Sequence, residues 1–132
     1  MEVVVDTSVI VAVLVRDPHR AALIRATATA DLIAPLSVHW EIGNAFSAMF
    51  KRRRITLRAA RRALSSYHQI PIRFSDVELE RTLEVAHDLG LYAYDAYVLV
   101  CAQQHRCPLL SLDQGLVAAA TEVGVKTMEI PQ

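Results

Sequence analysis

Short runs of branched apolar residues alternate along this chain with longer stretches in which apolar side chains recur every three or four positions. The runs predict strands at 2–6, 31–35, 70–74, 109–112 and 125–130, and the periodic stretches predict helices at about 7–15, 19–30, 37–53, 56–68, 76–89, 94–106 and 113–123. Alternating strands and helices imply an α/β class: a helix-rich, three-layer α/β/α arrangement around a short parallel sheet of about five strands. Ser75-Asp76-Val77-Glu78 reads as a capping box opening the fifth helix, and Gly90 and Gly124 suit helix C-termini. No repeat and no Pro/Gly/Ser-rich linker interrupts the pattern, so residues 1–132 are expected to form a single domain.

Four carboxylates break this apolar pattern. Asp6 ends the run Val3-Val4-Val5, and Asp113 follows Leu109-Leu110-Ser111-Leu112, so both stand at the carboxyl ends of predicted buried strands, where open α/β sheets build their sites. Glu41 lies at the margin of the stripe Val38, Ile42, Ala45, Phe46 and Met49, and Asp95 opens the wholly apolar stretch 96–102. Each acid has a plainer reading. Asp6 suits a turn, Asp113 an N-cap, Asp95 the first turn of a helix, and Glu41 a solvated helix face. Together they point further, because two carboxylates ~5 Å apart repel by about 3 kcal/mol at an effective dielectric of 20, so a gathered cluster must bind a cation or protonate. Mg²⁺ or Mn²⁺ suits all-oxygen ligands and commonly meets phosphate substrates. Ser8, Asn44 and Ser111 stand two or three residues from these acids, placed for hydrogen bonds that orient a ligating carboxylate, although capping serves Ser8 equally well.

Formal charge is zero, yet seven of the fourteen basic residues fall in 51–62: Lys51, Arg52, Arg53, Arg54, Arg58, Arg61 and Arg62. Clustered arginine serves phosphate recognition, a solvated helix face or an acidic protein partner. Arg52, Arg53 and Arg54 are the candidates for nucleic-acid contact. Tyr92, Tyr94, Tyr97 and Trp40 are candidates for base stacking, with plain packing the simpler role for Tyr97 and Trp40. Cys101 and Cys107 are expected to be free thiols, and the string Cys101-His105-Cys107 lacks the second half a zinc site needs. Residues 1–5 enter a strand directly, and no apolar run approaches the ~20 residues of a membrane span, so a cytoplasmic location is expected.

The strings Val4-Val5-Asp6-Thr7-Ser8-Val9-Ile10, Glu41-Ile42-Gly43-Asn44-Ala45, Tyr94-Asp95-Ala96-Tyr97 and Leu110-Ser111-Leu112-Asp113 resemble, in order and spacing, the motifs of a PIN domain, specifically the VapC-type toxin of toxin–antitoxin pairs. The resemblance covers nearly the whole chain. It implies a metal-dependent endoribonuclease using one or two Mg²⁺ or Mn²⁺ ions, with Asp6, Glu41, Asp95 and Asp113 as catalytic and metal-binding residues, RNA as substrate, a cognate antitoxin and a homodimer. Family members often carry a further acid just after the last motif, where this chain has Gln114 and Gly115. Two alternatives stay open: a PIN-like nuclease in housekeeping RNA processing, and a non-catalytic α/β module binding nucleic acid or protein. A dinucleotide enzyme is disfavoured, since no Gly-x-Gly-x-x-Gly follows the first strand.

Overall fold

The valines of the first strand take alternate sides of the sheet, and that alternation divides the core in two. In this computed structural model, which describes residues 1–130, β1 (Glu2–Val5) sends Val3 and Val5 to one face and Val4 to the other. On the first face pack α1 (Thr7–Leu14), α2 (Arg20–Thr27), α3 (Val38–Lys51) and α4 (Leu57–Gln69), which contribute Val9, Leu23, Ile42, Phe46 and Tyr67. On the second lie α5 (Leu79–Leu89), α6 (Ala93–His105) and α7 (Gln114–Glu122), with Val85, Leu99 and Leu116 around Val4 and Ile33. The predicted three layers are present. The α6 segment is buried almost all round, as its uninterrupted apolar sequence requires.

The sheet is parallel and runs β3 (Ile72–Ser75), β2 (Asp31–Pro35), β1, β4 (Leu109–Leu110). Strand order reverses beside β1: the chain first builds outward through β2 and β3, then returns to lay β4 on the other side. Such a switch point opens a crevice at the carboxyl ends of the two neighbouring strands.

Two expectations are corrected. The sheet has four strands, and the predicted strand at 125–130 is reduced to one parallel bridge, in which Leu109 donates to the Lys126 carbonyl and accepts from Met128 N–H, both at 2.8 Å. Its neighbour β4 offers only two residues, preceded by Pro108, which has no N–H, and followed by Ser111, whose side chain turns to Asp6. The capping box does not form either. Ser75 stays in β3 with its hydroxyl 2.8 Å from His105 Nε2, and the start of α5 is held from α6, where Gln104 Oε1 accepts from Glu78 N–H at 3.0 Å. Gly90, by contrast, closes α5 in the left-handed conformation at φ 67°, as expected of a helix-ending glycine.

Leu99 is completely buried in α6 at the centre of the second core layer. Leu99→Ala is therefore expected to lower unfolding free energy by about 2–5 kcal/mol, read as a shifted urea midpoint with an unchanged slope.

Candidate active site

Asp6 leaves β1 at the switch point and caps α1, its Oδ1 accepting from Val9 N–H at 3.4 Å. Ser8 Oγ donates to the same oxygen at 2.7 Å, and Ser111 Oγ donates to Oδ2 at 2.8 Å, so both oxygens of this buried carboxylate are fixed. Ser111 Oγ also accepts from Asp113 N–H at 3.0 Å, and Ser8 Oγ from Leu112 N–H at 3.0 Å. Two serines thus lace the end of β1 to the end of β4 across more than a hundred residues of sequence. Asp113, exposed at the rim, caps α7 through Leu116 N–H at 3.2 Å. The capping role read from sequence for Asp113 is real; Asp6, read as a turn residue, is a cap as well, and Ser111 joins the two acids.

Glu41 faces this pair from the first turn of α3, and Asp95 from the first turn of α6. Burial pushes the Glu41 carboxyl up to about 7, and the charges of Asp6 and Asp95 push in the same direction. The Thr7 hydroxyl lies close enough to pull the other way, but it does not complete a hydrogen bond: Thr7 Oγ1 and Glu41 Oε2 are both buried without partners. Asp6 is raised chiefly by burial, opposed by its serine and Val9 hydrogen bonds and reinforced by Asp113; Asp95 is raised by burial and then by Asp113. Every shifted acid of the quartet feels the charge of another member.

The four acids lie near enough for their charges to act on one another, without touching. Among the described residues, no three acidic, histidine or cysteine side chains stand close enough to form a ready cage of ligands. Like charges with no counter-charge between them keep apart. Their donor set nevertheless fits a hard divalent ion: it is all carboxylate oxygen, and Glu41 Oε2 is a buried acceptor lacking any donor, which a protein rarely leaves unsatisfied. Gly115 keeps the mouth open, since a Cβ there would lie 3.3 Å from Asp113 Oδ1.

Other candidates lie elsewhere. Asn44 is exposed, and its backbone carbonyl accepts from Ser47 Oγ at 2.9 Å. Arg52, Arg53 and Arg54 are exposed at the far end of α3, eleven or more residues past Glu41 and so roughly 16 Å along the helix axis from it. Arg54 and Arg62 join Arg16 in lining an open groove of about 560 Å³ there. His39 is structural, bonded to the Tyr67 hydroxyl at 2.7 Å and packed on Phe74. Cys101 is a buried thiol, Cys107 a partly buried one, and neither is cross-linked. Sequence reasoning passed over Thr7, whose position between Asp6 and Ser8 was the available signal. It also undervalued Trp40, which is 58 % exposed rather than packed.

A sequence model of the PIN domain matches residues 3–122. No curated protein matches the chain. Among solved structures it is similar to PAE2754 from Pyrobaculum aerophilum, with TM-score 0.71 and 24 % identity over 90 % of this chain and 86 % of that one. It is also similar to VapC20 from Mycobacterium tuberculosis, a sarcin-ricin loop cleaving toxin, with TM-score 0.63 and 19 % identity over 89 % and 94 % of the two chains. A third similar structure is VapBC2 from Rickettsia felis bound to a DNA fragment from their promoter, with TM-score 0.65 and 13 % identity over 98 % of each chain.

Raised acids have a consequence for stability. The folded protein holds the Glu41 proton up to about pH 7, whereas the ordinary value is 4.5, so ionisation opposes folding across that window. In chelator, unfolding free energy should fall as pH rises from about 4.5 to about 7, and Glu41→Gln should flatten part of that fall. Urea titrations at several pH values test this, and identical pH profiles for the two proteins would refute it.

Proposed function

The chain belongs to the PIN-domain family, and from that premise we propose that it is a metal-dependent endoribonuclease, the toxin of a VapC-type toxin–antitoxin pair. What supports the proposal is the mutual influence of the charges of Asp6, Glu41, Asp95 and Asp113, with a buried Glu41 oxygen left unpaired. These four residues would hold one or two Mg²⁺ or Mn²⁺ ions. A cation bound there supplies charge neutralisation at the scissile phosphate and acidifies the attacking water.

The protein's own contribution is orientation and proton control. Ser8 and Ser111 lock Asp6, so one carboxylate is pre-aimed at no further cost in side-chain freedom. Glu41 retains its proton near neutrality until positive charge arrives and then releases it, which couples cation affinity to pH. Asp113, at the exposed rim, completes the set on the solvent side. Arg52, Arg53 and Arg54 hold the RNA backbone away from the cut bond, positioning the strand without reading it. An antitoxin partner, a homodimer and a cytoplasmic location belong to the same proposal, and the likeness to the VapBC2 structure supports the first of them.

A non-catalytic module is the competing reading, favoured by the fact that Asp6 and Asp113 cap helices. Capping does not account for Glu41, which caps nothing and stands unpaired.

Purified protein is expected to cut single-stranded RNA with Mg²⁺ or Mn²⁺, and to lose at least roughly 100-fold of that activity in chelator or as Asp6→Asn. Activity that survives both treatments defeats the mechanism, and the absence of a metal-induced thermal shift favours the binding module. Growth arrest on expression, relieved by a neighbouring antitoxin gene, separates a toxin from a housekeeping nuclease. On an Asp6→Asn background, replacing Arg52, Arg53 and Arg54 by alanine should reduce the slope of log affinity against log salt by about 2, since each single-strand phosphate contact contributes about 0.7. An unchanged slope removes these arginines from the interface.

A further inference from the structure

Trp40 immediately precedes Glu41 on α3, and Tyr94 immediately precedes Asp95 on α6, so each of two site acids has an aromatic neighbour in sequence. Neither aromatic is buried: Trp40 is 58 % and Tyr94 42 % exposed. With Tyr97 they line a cavity of about 370 Å³, within the size range of small-molecule sites. Tyr94 and Tyr97 meet edge to face, with ring centroids 6.4 Å apart. Ser37, Ser75 and Asp76 supply polar groups to the same wall, and the Ser37 hydroxyl has no hydrogen-bond partner.

We infer that the cavity between Trp40 and the Tyr94–Tyr97 pair is a stacking subsite for an unpaired nucleobase of the RNA strand being cut, an inference that rests on the nuclease reading. Large aromatic faces left in water beside an acidic pocket need an apolar, flat occupant. A base is the uncharged part of a nucleotide, so it can approach a wall that carries Asp76 where a phosphate needs a cation to accompany it. Base edges also carry the donors and acceptors that Ser37, Ser75 and Asp76 can satisfy. A second copy of the chain fits less well, because a two-fold contact here would set the same carboxylates against themselves.

Trp40 is the sole tryptophan, so its emission reports the cavity directly. The experiment titrates the Asp6→Asn protein, in Mg²⁺, with an unstructured RNA oligonucleotide and with an abasic strand of equal length. Saturable quenching by the first and not the second is expected. Equal responses to both strands, or none to either, overturn the subsite. In the cleaving protein, Trp40→Ala should lower kcat/KM roughly 5- to 100-fold, the range of one base stack, and Trp40→Phe should recover most of it. Unchanged kcat/KM in Trp40→Ala also overturns the subsite. An emission change that follows protein concentration without RNA, and no further change with RNA, assigns the cavity to a protein contact and rejects the inference. RNA left uncut by the wild-type protein defeats the nuclease reading by itself, whereas RNA cut with Trp40 silent defeats only the subsite.

Discussion

One hydroxyl group holds the two ends of the architecture together. Ser111 Oγ donates to Asp6 and accepts from the backbone of Asp113, so the turn after β4 cannot move without moving the carboxylate after β1. The parallel pairing of β1 with β4 brings those turns within reach, and the pairing exists because the chain reverses its direction of growth across the sheet beside β1. The fold therefore gathers negative charge where burial makes it costly. Three donors work against the burial that raises Asp6, but Glu41 has none that closes a hydrogen bond, and its carboxyl is pushed up to about 7.

Much of this was legible in the chain. Apolar runs located four strands, and three-to-four-residue spacing located the seven helices of the described residues within a few positions. Local pattern failed where tertiary partners took over. The residues after 124 read as a strand, yet β4 has only two residues for them to pair with, and Pro108 shortens it from one side. Ser75 to Glu78 read as a capping box, yet His105 and Gln104, close only through packing of α6, claimed the groups that would have closed it. Asn44 read as a helper of Glu41, but a position three residues on from a half-buried glutamate turned outward. The aromatic cavity was the least legible feature, because nothing in a helical spacing tells whether Trp40 lies over a neighbour or over solvent.

Length along α3 separates two kinds of charge. Its first turn carries Glu41 into the acidic pocket, while its C-terminus and the start of α4 carry an unbroken set of exposed arginines. No acid occurs between Glu41 and Asp76, and no residue from 51 to 62 takes part in an ion pair among the described residues. A strand lying along this helix would have its backbone held at one end and meet a repelling field at the other. The net charge of zero thus conceals a gradient, and in the proposed reading the gradient gives the strand a direction as well as an affinity.

Capping and metal binding are often set against each other as explanations of an aspartate at the end of a strand, and here they coincide for a physical reason. A helix N-terminus supplies N–H donors that favour a carboxylate in its ionised form, so Val9 N–H works against the burial that raises Asp6, while Leu116 N–H gives Asp113 Oδ1 a partner. Glu41 and Asp95 sit in the first turns of their helices without capping them, and the buried, unpaired Glu41 oxygen is the part that capping cannot explain. In the proposed reading, acids that burial and one another's charges raise together accept a dication with the release of a proton, which a set of structural caps has no reason to do.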